Sequence, residues 1–231
     1  MTLSLKNVYL HNIILMKYIN SEVTMNKFNA ALLQTKVCDS KDKNIDNAVK
    51  LIEKVSAEGA DIAVLPEMFC CPYDNSYFKV FGEEEGGAAY MAVSNAAKES
   101  GIYVVAGTIP ELKGDRVYNT SYVFDRNGKQ KAKHRKIHLF DIDIKGGQYF
   151  KESDTLTPGE NVTVFDTEFC KIGLAVCYDI RFPELSRLIV NEGAEIIIVP
   201  GAFNMTTGPV HWELTFRARA LDNQVYTIGV A

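Results

Sequence analysis

The strongest constraint on the fold is a repeated alternation of short apolar runs with amphipathic helical segments. Residues 28–35 and 61–66 are apolar runs with the length of a buried strand. The segment between them can begin a helix at Asp39 or Ser40 and end it at Gly59. Its apolar residues then share one helical face, namely Ile45, Ala48, Val49, Ile52 and Val55. This pattern predicts a strand–helix–strand unit.

The same alternation continues towards the end of the chain. Each further helical segment is followed by an apolar run of strand length, as in the first unit. The expected helices cover 87–100, 183–192 and 210–223, and the expected strands cover 102–108, 194–199 and 226–231. The chain therefore repeats one kind of unit, with a helix crossing between strands.

The middle of the sequence is more antiparallel in character. Residues 117–125 read as a strand that leads into a turn at Asn127 and Gly128, and residues 162–166 and 170–176 read as paired strands. Strand–helix units with added antiparallel strands predict an α/β fold with helices outside and sheets inside. We expect one domain, over residues 27–231.

Composition limits the possible functions. The chain has 231 residues, of which 47% are hydrophobic and 23% charged, a mixture typical of soluble globular proteins with one sizeable core. The net charge is −4 and no run of Lys or Arg is present, which argues against a nucleic-acid surface. A small polar or anionic substrate would need only one or two local cations.

The cysteines and histidines argue against a metal site. The five cysteines are irregularly spaced without a CxxC pair, and the chain has only four histidines. We therefore expect no metal, no cofactor and reduced thiols in a cytoplasmic protein, with at least one thiol reactive. The cysteines are Cys38, Cys70, Cys71, Cys170 and Cys177.

The first residues differ from the rest. The apolar stretch 8–16 is interrupted by His11 and Asn12, and no small-residue cleavage site follows it. It is too short to span a bilayer and a poor secretory signal, so we expect no membrane partner. Residues 1–26 are interpreted as an extension outside the core, or as the product of a start site upstream of Met25.

Three polar residues lie at the ends of apolar strands, where α/β folds build their sites. Glu67 follows the run DIAVLP, Cys177 follows KIGLAV, and Lys136 lies in KAKHRKIHLF just before another apolar segment. Each also has a structural interpretation. A carboxylate after a strand is usually a helix cap or a solvated turn, a strand-end cysteine is more often an inert core thiol, and a lone lysine is usually surface charge.

The histidines that flank Lys136 are less informative. His134 and His138 fit no ligand spacing, and packing or solvation is the better interpretation of both. Taken singly, none of these residues decides the function.

Taken together, the segments resemble the nitrilase, or carbon–nitrogen hydrolase, superfamily. The matching stretches are AVLPEMFCCPYD, KHRKIHLFDID, GLAVCYDIRFPELSR and GAFNMTTGPVHWELTFRARALDNQ. The resemblance implies a four-layer α-β-β-α sandwich with a catalytic triad of Glu67, Lys136 and Cys177. It also matches a second glutamate of the family to Glu152.

That chemistry suits these residue types. An amide is a poor electrophile, so covalent catalysis divides its hydrolysis into formation and hydrolysis of a thioester. Glu67 can take the proton of the Cys177 thiol, return it to the departing ammonia and later activate water. Lys136 and the backbone N–H of Tyr178 would hold the oxyanion, where one donor contributes about 3 kcal/mol.

Within the superfamily the sequence is most similar to the ω-amidase branch, which hydrolyses the terminal amide of 2-oxoglutaramate and 2-oxosuccinamate. The resemblance implies that Arg181 and Thr207 bind the distal carboxylate, for which a guanidinium is well suited. The alternative for Arg181 is an ion pair with Glu184. Tyr73 and Phe203 can line the pocket, or belong to the core.

The sequence leaves other functions open. The same triad serves nitrilases and N-carbamoyl amidohydrolases, and a truncated, non-catalytic binding protein could retain the pocket. Relatives continue beyond Ala231 through further strands and a tail used in dimer packing, so the resemblance implies a fold short of its C-terminal strands. We expect a homodimer or higher homo-oligomer if that end permits it, with a small amide and water as the other partners.

Overall fold

The computed structural model describes residues 8–19 and 22–231, with side chains described from Lys27 onward. Within this range the larger sheet has seven strands. They are β1 (Val8–Ile19), β2 (Glu22–Leu33), β3 (Ile62–Val64), β4 (Tyr103–Val105), β5 (Ile109–Lys113), β6 (Arg116–Phe124) and β7 (Gln130–Arg135).

The larger sheet combines a parallel and an antiparallel part. Strands β2, β3 and β4 are parallel neighbours, and β1 is antiparallel to β2. Strand β6 pairs antiparallel with β4, β5 and β7. Because β4 and β7 pair with the same residues of β6, β7 lies on the side of β6 opposite to β4 and β5.

Two smaller groups of strands complete the described part. Strands β8 (Asp141–Asp143) and β9 (Tyr149–Lys151) form an antiparallel ribbon. The second sheet has four strands in chain order, with its first pair antiparallel and the others parallel. These are β10 (Thr163–Asp166), β11 (Lys171–Leu174), β12 (Ile196–Pro200) and β13 (Tyr226–Val230).

The helices follow the strands that they connect. Helix α1 ends at a C-terminal turn around Gly59, whose φ of 88° suits glycine, and α3 ends at Gly101, whose φ is 66°. Short 3₁₀ turns cover Glu152–Asp154 and Cys177–Arg181. The helices are α1 (Lys41–Ala57), α2 (Asn75–Phe81), α3 (Ala88–Ser100), α4 (Pro183–Asn191) and α5 (Gly208–Asn223).

The buried apolar residues show how these elements stack. In β3, Ile62 and Val64 pack between the two sheets, whereas Ala63 packs under α1 and α3. In β12, Ile196 contributes to the space between the sheets, and Ile197 packs against the α4 and α5 side. Since successive side chains of a strand point to opposite faces, the order is helices, sheet, sheet, helices. The expected four-layer α/β sandwich is confirmed.

Some elements are absent from the sequence prediction. Helix α2 is only seven residues long, and its main signal is Asp74, whose side chain accepts the Ser76 N–H at 2.8 Å. Strand β7 reads QKAKHR, which lacks the apolar alternation of a half-buried strand. Its place in the sheet is fixed by pairing with β6. The β5 strand and the β8–β9 ribbon were also not predicted.

Residues 1–26, expected outside the core, include strand β1 and the start of β2. The backbone pairing runs from Val8 opposite Leu33 to Ile19 opposite Glu22, so this segment borders the larger sheet. Residues 1–7, 20 and 21 lie outside the described residues, and the division at residue 27 stays a prediction. In the described part of the chain, no helix is long and apolar enough to cross a membrane.

Candidate active site

The three strand-end residues meet at one place between the sheets. Glu67 lies three residues after β3, Lys136 directly after β7, and Cys177 three residues after β11. Glu152 joins them from the turn that follows β9. Glu67, Lys136 and Glu152 are buried, as is Cys177 with 8% exposure. The fold thus gathers four chemically reactive side chains from segments up to 110 residues apart (177 − 67).

Lys136 is at the centre of a buried hydrogen-bond network. Its Nζ lies 2.9 Å from Glu67 Oε1 and 2.9 Å from Glu152 Oε2. The Tyr73 hydroxyl donates to Glu152 Oε1 at 2.6 Å, and Asn119 Nδ2 donates to Glu67 Oε1 at 2.8 Å. One cation therefore holds two carboxylates, and two neutral donors fix those carboxylates further.

The protonation of Lys136 follows from these charges. Burial acts to lower the pKa of the Lys136 amine, but the negative charges of the neighbouring Glu67 and Glu152 outweigh it and raise that pKa. The amine consequently stays cationic at neutral pH. A buried fixed cation is suited to stabilise a developing negative charge beside it.

The Cys177 thiol is placed against the free side of Glu67. Glu67 Oε2 has no hydrogen-bond partner among the described residues. Burial, followed by the Glu67 charge, raises the pKa of the Cys177 thiol, while Lys136 opposes the rise. Burial also raises the pKa of Glu67, with Lys136 lowering it and Glu152 raising it. At neutral pH the thiol is protonated at rest, and its proton can pass to the carboxylate beside it.

The backbone is strained at Cys177 and next to Glu67, the two residues that exchange this proton. Cys177 has a φ of 47° and Met68, next to Glu67, has a φ of 53°. Left-handed conformations cost a non-glycine residue about 1–2 kcal/mol. The Met68 N–H donates to the buried Thr108 Oγ1 at 2.8 Å, which holds the turn that presents Glu67.

Asp179 anchors the turn that carries Cys177. Its carboxylate accepts the Val176 N–H at 2.9 Å and the His138 N–H at 2.8 Å, and its oxygens also contact both imidazoles, of His134 at 3.4 Å and of His138 at 2.7 Å. Burial would raise the pKa of Asp179, but the hydrogen bonds from His134 and His138 outweigh it and hold that pKa well below its usual range. The two histidines thus brace the turn that carries Cys177.

A cavity of about 400 Å³ opens onto Cys177. Its walls are mainly aromatic, with a few polar side chains, which is typical of small-molecule sites. All the predicted substrate-binding residues line it. These are Tyr73, Phe203, Arg181 and Thr207, together with Tyr178.

Arg181 is the cation of this cavity. Within the described residues it forms no ion pair, with Glu184 or any other carboxylate, and its buried Nε has no partner. The guanidinium carbon lies 5.5 Å from the Tyr178 ring centroid and 5.6 Å from that of Phe203. Thr207 lies beside it, and its hydroxyl donates to Asn204 Oδ1 at 3.2 Å. Arg181 is free to bind an anion in the cavity.

Sequence reasoning missed the residues that support the reactive groups. No sequence motif predicts the contacts of Asn119, Thr108 and Asp179. Asp179 had the clearest signal, since it lies two residues after Cys177 on the same turn. No group of three or more potential metal ligands occurs in the described part, and its five cysteines form no disulfide.

Comparisons with known proteins match this architecture. The carbon–nitrogen hydrolase family model matches residues 29–231. The omega-amidase NIT2-A of Xenopus laevis is 50% identical over 202 residues, covering 87% of this chain and 73% of that protein. The chloroplastic omega-amidase of Arabidopsis thaliana is 50% identical over 207 residues, covering 87% of this chain and 56% of that protein.

A solved structure agrees with these relatives. The crystal structure of Saccharomyces cerevisiae Nit3, a member of branch 10 of the nitrilase superfamily, superposes with a TM-score of 0.80 at 40% identity. The match covers 89% of this chain and 76% of that one. By sequence and by fold, this chain belongs to the carbon–nitrogen hydrolase family.

Proposed function

We propose that this amidase-type hydrolase is an ω-amidase. It removes the terminal amide of a small carboxylate-bearing substrate such as 2-oxoglutaramate or 2-oxosuccinamate, and it releases ammonia. The observation that carries the proposal is the Arg181 guanidinium, which forms no ion pair among the described residues, in the cavity that opens onto Cys177. Relatives at 50% identity that are named omega-amidases support the same assignment.

The first half of the reaction forms a thioester. Glu67 takes the proton of the Cys177 thiol as the sulfur attacks the amide carbon. Lys136 and the backbone N–H of Tyr178 stabilise the oxyanion that develops on the amide oxygen. Collapse of the tetrahedral intermediate breaks the C–N bond, and Glu67 returns the proton to the departing ammonia.

The second half hydrolyses that thioester. Water attacks the acyl carbon while Glu67 takes its proton, and the same oxyanion donors act again. The Cys177 thiolate leaves and receives the proton from Glu67. Glu152 takes part by holding the Lys136 amine with both carboxylate oxygens, at 2.9 and 3.1 Å. No metal or cofactor is required for these steps.

Substrate selection takes place at Arg181, the cation of the cavity. The substrate carboxylate binds the Arg181 guanidinium, which can donate two parallel hydrogen bonds to it. The Thr207 hydroxyl adds a third donor by exchanging Asn204 Oδ1 for the carboxylate. The rings of Tyr73 and Phe203 cover the carbon chain between the two ends.

Steady-state ammonia release from 2-oxoglutaramate tests this function. We expect turnover by the purified chain and a loss of at least about 10⁴-fold in Cys177→Ala. Turnover of a nitrile or an N-carbamoyl amine, with 2-oxoglutaramate untouched, would replace the substrate assignment. Intact-mass spectrometry after brief exposure to substrate should detect an acyl adduct on Cys177, and a non-catalytic binding protein would show none.

We also propose that the chain forms a homodimer in the cytoplasm. The outer face of α5 exposes Val210, Leu214 and Leu221, which together form an apolar stripe that a second copy can cover. Light scattering should give the mass of a dimer, and Leu214→Glu should reduce it to that of a monomer. The absence of a disulfide among the described residues supports a reducing compartment, which fractionation of cells would test.

A further inference from the structure

His211 is the one hydrogen-bond partner of the Arg181 side chain within the described residues. The Arg181 Nη1 atom lies 2.9 Å from His211 Nδ1. His211 lies in the first turn of α5, and its backbone N–H donates to the Thr207 carbonyl at 2.9 Å. Helix α5 thus presents Thr207 and His211 one turn apart, next to the guanidinium.

The chemistry of the two groups fixes the direction of this hydrogen bond. A guanidinium has five N–H donors and no acceptor, so His211 Nδ1 is the acceptor. The imidazole is therefore neutral and carries its proton on Nε2. Arg181 is then restrained by His211 and by the rings of Tyr178 and Phe203, while its Nε keeps an unused donor.

We propose that His211 is a specificity-determining positioning residue. It holds Arg181 in the orientation that binds a carboxylate and so sets the preference for carboxylate-bearing amides over neutral ones. A long arginine that is ordered before binding loses less conformational entropy when the anion arrives. This inference rests on the proposed function, because it assigns the role of a neighbour to the proposed carboxylate site.

The test compares two substrates across variants of His211. His211→Leu removes the acceptor at similar volume, and His211→Asn keeps an acceptor near the position of Nδ1. For 2-oxoglutaramate we expect KM to rise about tenfold in His211→Leu with kcat within about twofold, and to recover in His211→Asn. For the neutral amide pentanamide, KM should stay within about twofold in both variants.

Two controls separate this role from a structural one. Glu213→Gln changes an exposed residue of the same helix and should leave both substrates unaffected. In the Arg181→Met background, His211→Leu should add no further rise in KM, because the group that it positions is gone. Where His211→Leu does not fold, His211→Gln serves in its place, since its longer amide cannot put an acceptor at the position of Nδ1.

The outcomes distinguish the inference from the proposed function. A wild-type chain with no preference for 2-oxoglutaramate over pentanamide contradicts the carboxylate site itself. A wild-type preference that survives His211→Leu, or a loss of equal size for both substrates, overturns the role of His211 alone. An additive effect of the two substitutions overturns it as well.

Discussion

The buried charges around Lys136 and the Arg181 guanidinium in the cavity are held in opposite ways. Around Lys136 the charges are buried, with two carboxylates on one amine and neutral donors behind them. Around Arg181 the charge is half-buried, and a histidine and two rings hold it, with no carboxylate partner among the described residues. The first group therefore stabilises itself before substrate arrives, whereas the second leaves its charge for the ligand. Reacting groups and recognising groups can be told apart by this balance.

The largest expected effect comes from removing the buried cation, Lys136. Lys136→Met leaves Glu67 and Glu152 buried without their cation, which costs about 3–5 kcal/mol of unfolding free energy and abolishes turnover. Urea unfolding and ammonia release measure the two effects. Lys133→Met is the matched control, because this partly exposed lysine pairs with Glu85 and with Glu111, which Arg135 also holds. A Lys136→Met chain as stable as wild type would contradict the network.

The next largest effect comes from removing the cation of the cavity, Arg181. Arg181→Met should lower kcat/KM for 2-oxoglutaramate about 100-fold, because the carboxylate loses its charged donors. The unfolding free energy should change by less than about 1 kcal/mol, since Arg181 forms no ion pair among the described residues. Arg187→Met, on α4 and outside the cavity, is the control. A large loss of unfolding free energy without a change in KM would mean that Arg181 stabilises the fold and does not bind the substrate.

A smaller effect concerns the turn beneath the nucleophile. The pKa of Asp179 is lowered in the folded state, so its stabilisation is present above the ordinary pKa of about 3.9 and is lost as pH falls through the lowered value. Asp179→Asn should lower the unfolding free energy by about 2 kcal/mol at pH 7. Urea unfolding at several pH values should show the difference from wild type shrinking below pH of about 4. A difference independent of pH would exclude the charge as its cause.

The smallest effect sharpens the geometry around Glu67. Thr108→Val removes the acceptor of the Met68 N–H and should cost about 1 kcal/mol, together with a few-fold decrease in kcat. Thr108→Ser retains the hydroxyl and should behave like wild type in both thermal unfolding and turnover. An impaired Thr108→Ser chain beside a Thr108→Val chain that behaves like wild type would mean that methyl packing, and not the hydrogen bond, matters at this position.

The layers of the fold could be predicted because they depend on local pattern. The alternation that puts Ile62 and Val64 on one face and Ala63 on the other is visible in the sequence. The strand β7 shows where the pattern fails. Its polar residues carry no apolar alternation, yet Ser121 opposite His134 and Tyr122 opposite Lys133 place it firmly beside β6. That register is a tertiary property.

The candidate site likewise has residues that the sequence predicts and contacts that only the folded chain shows. Glu67 and Cys177 can be proposed from sequence because each follows an apolar run within an extended motif, and Lys136 because it lies in the motif KHRKIHLFDID. The contacts of Asn119 with Glu67 and of His211 with Arg181 join residues 52 and 30 positions apart, and only the folded chain brings them together. The histidines beside Lys136 were assigned to packing or solvation for the same reason, since their partner, Asp179, is more than 40 residues away.

The left-handed backbone at Cys177 has a consequence for how this chain can evolve. At a φ of 47° the residue that folds with least strain is glycine, whereas the residue that we propose forms the thioester is cysteine. Selection for catalysis therefore maintains at this position a side chain that the fold alone would not favour. Optimising the chain for thermal stability alone would tend to remove the nucleophile, so stability and activity are in competition at residue 177.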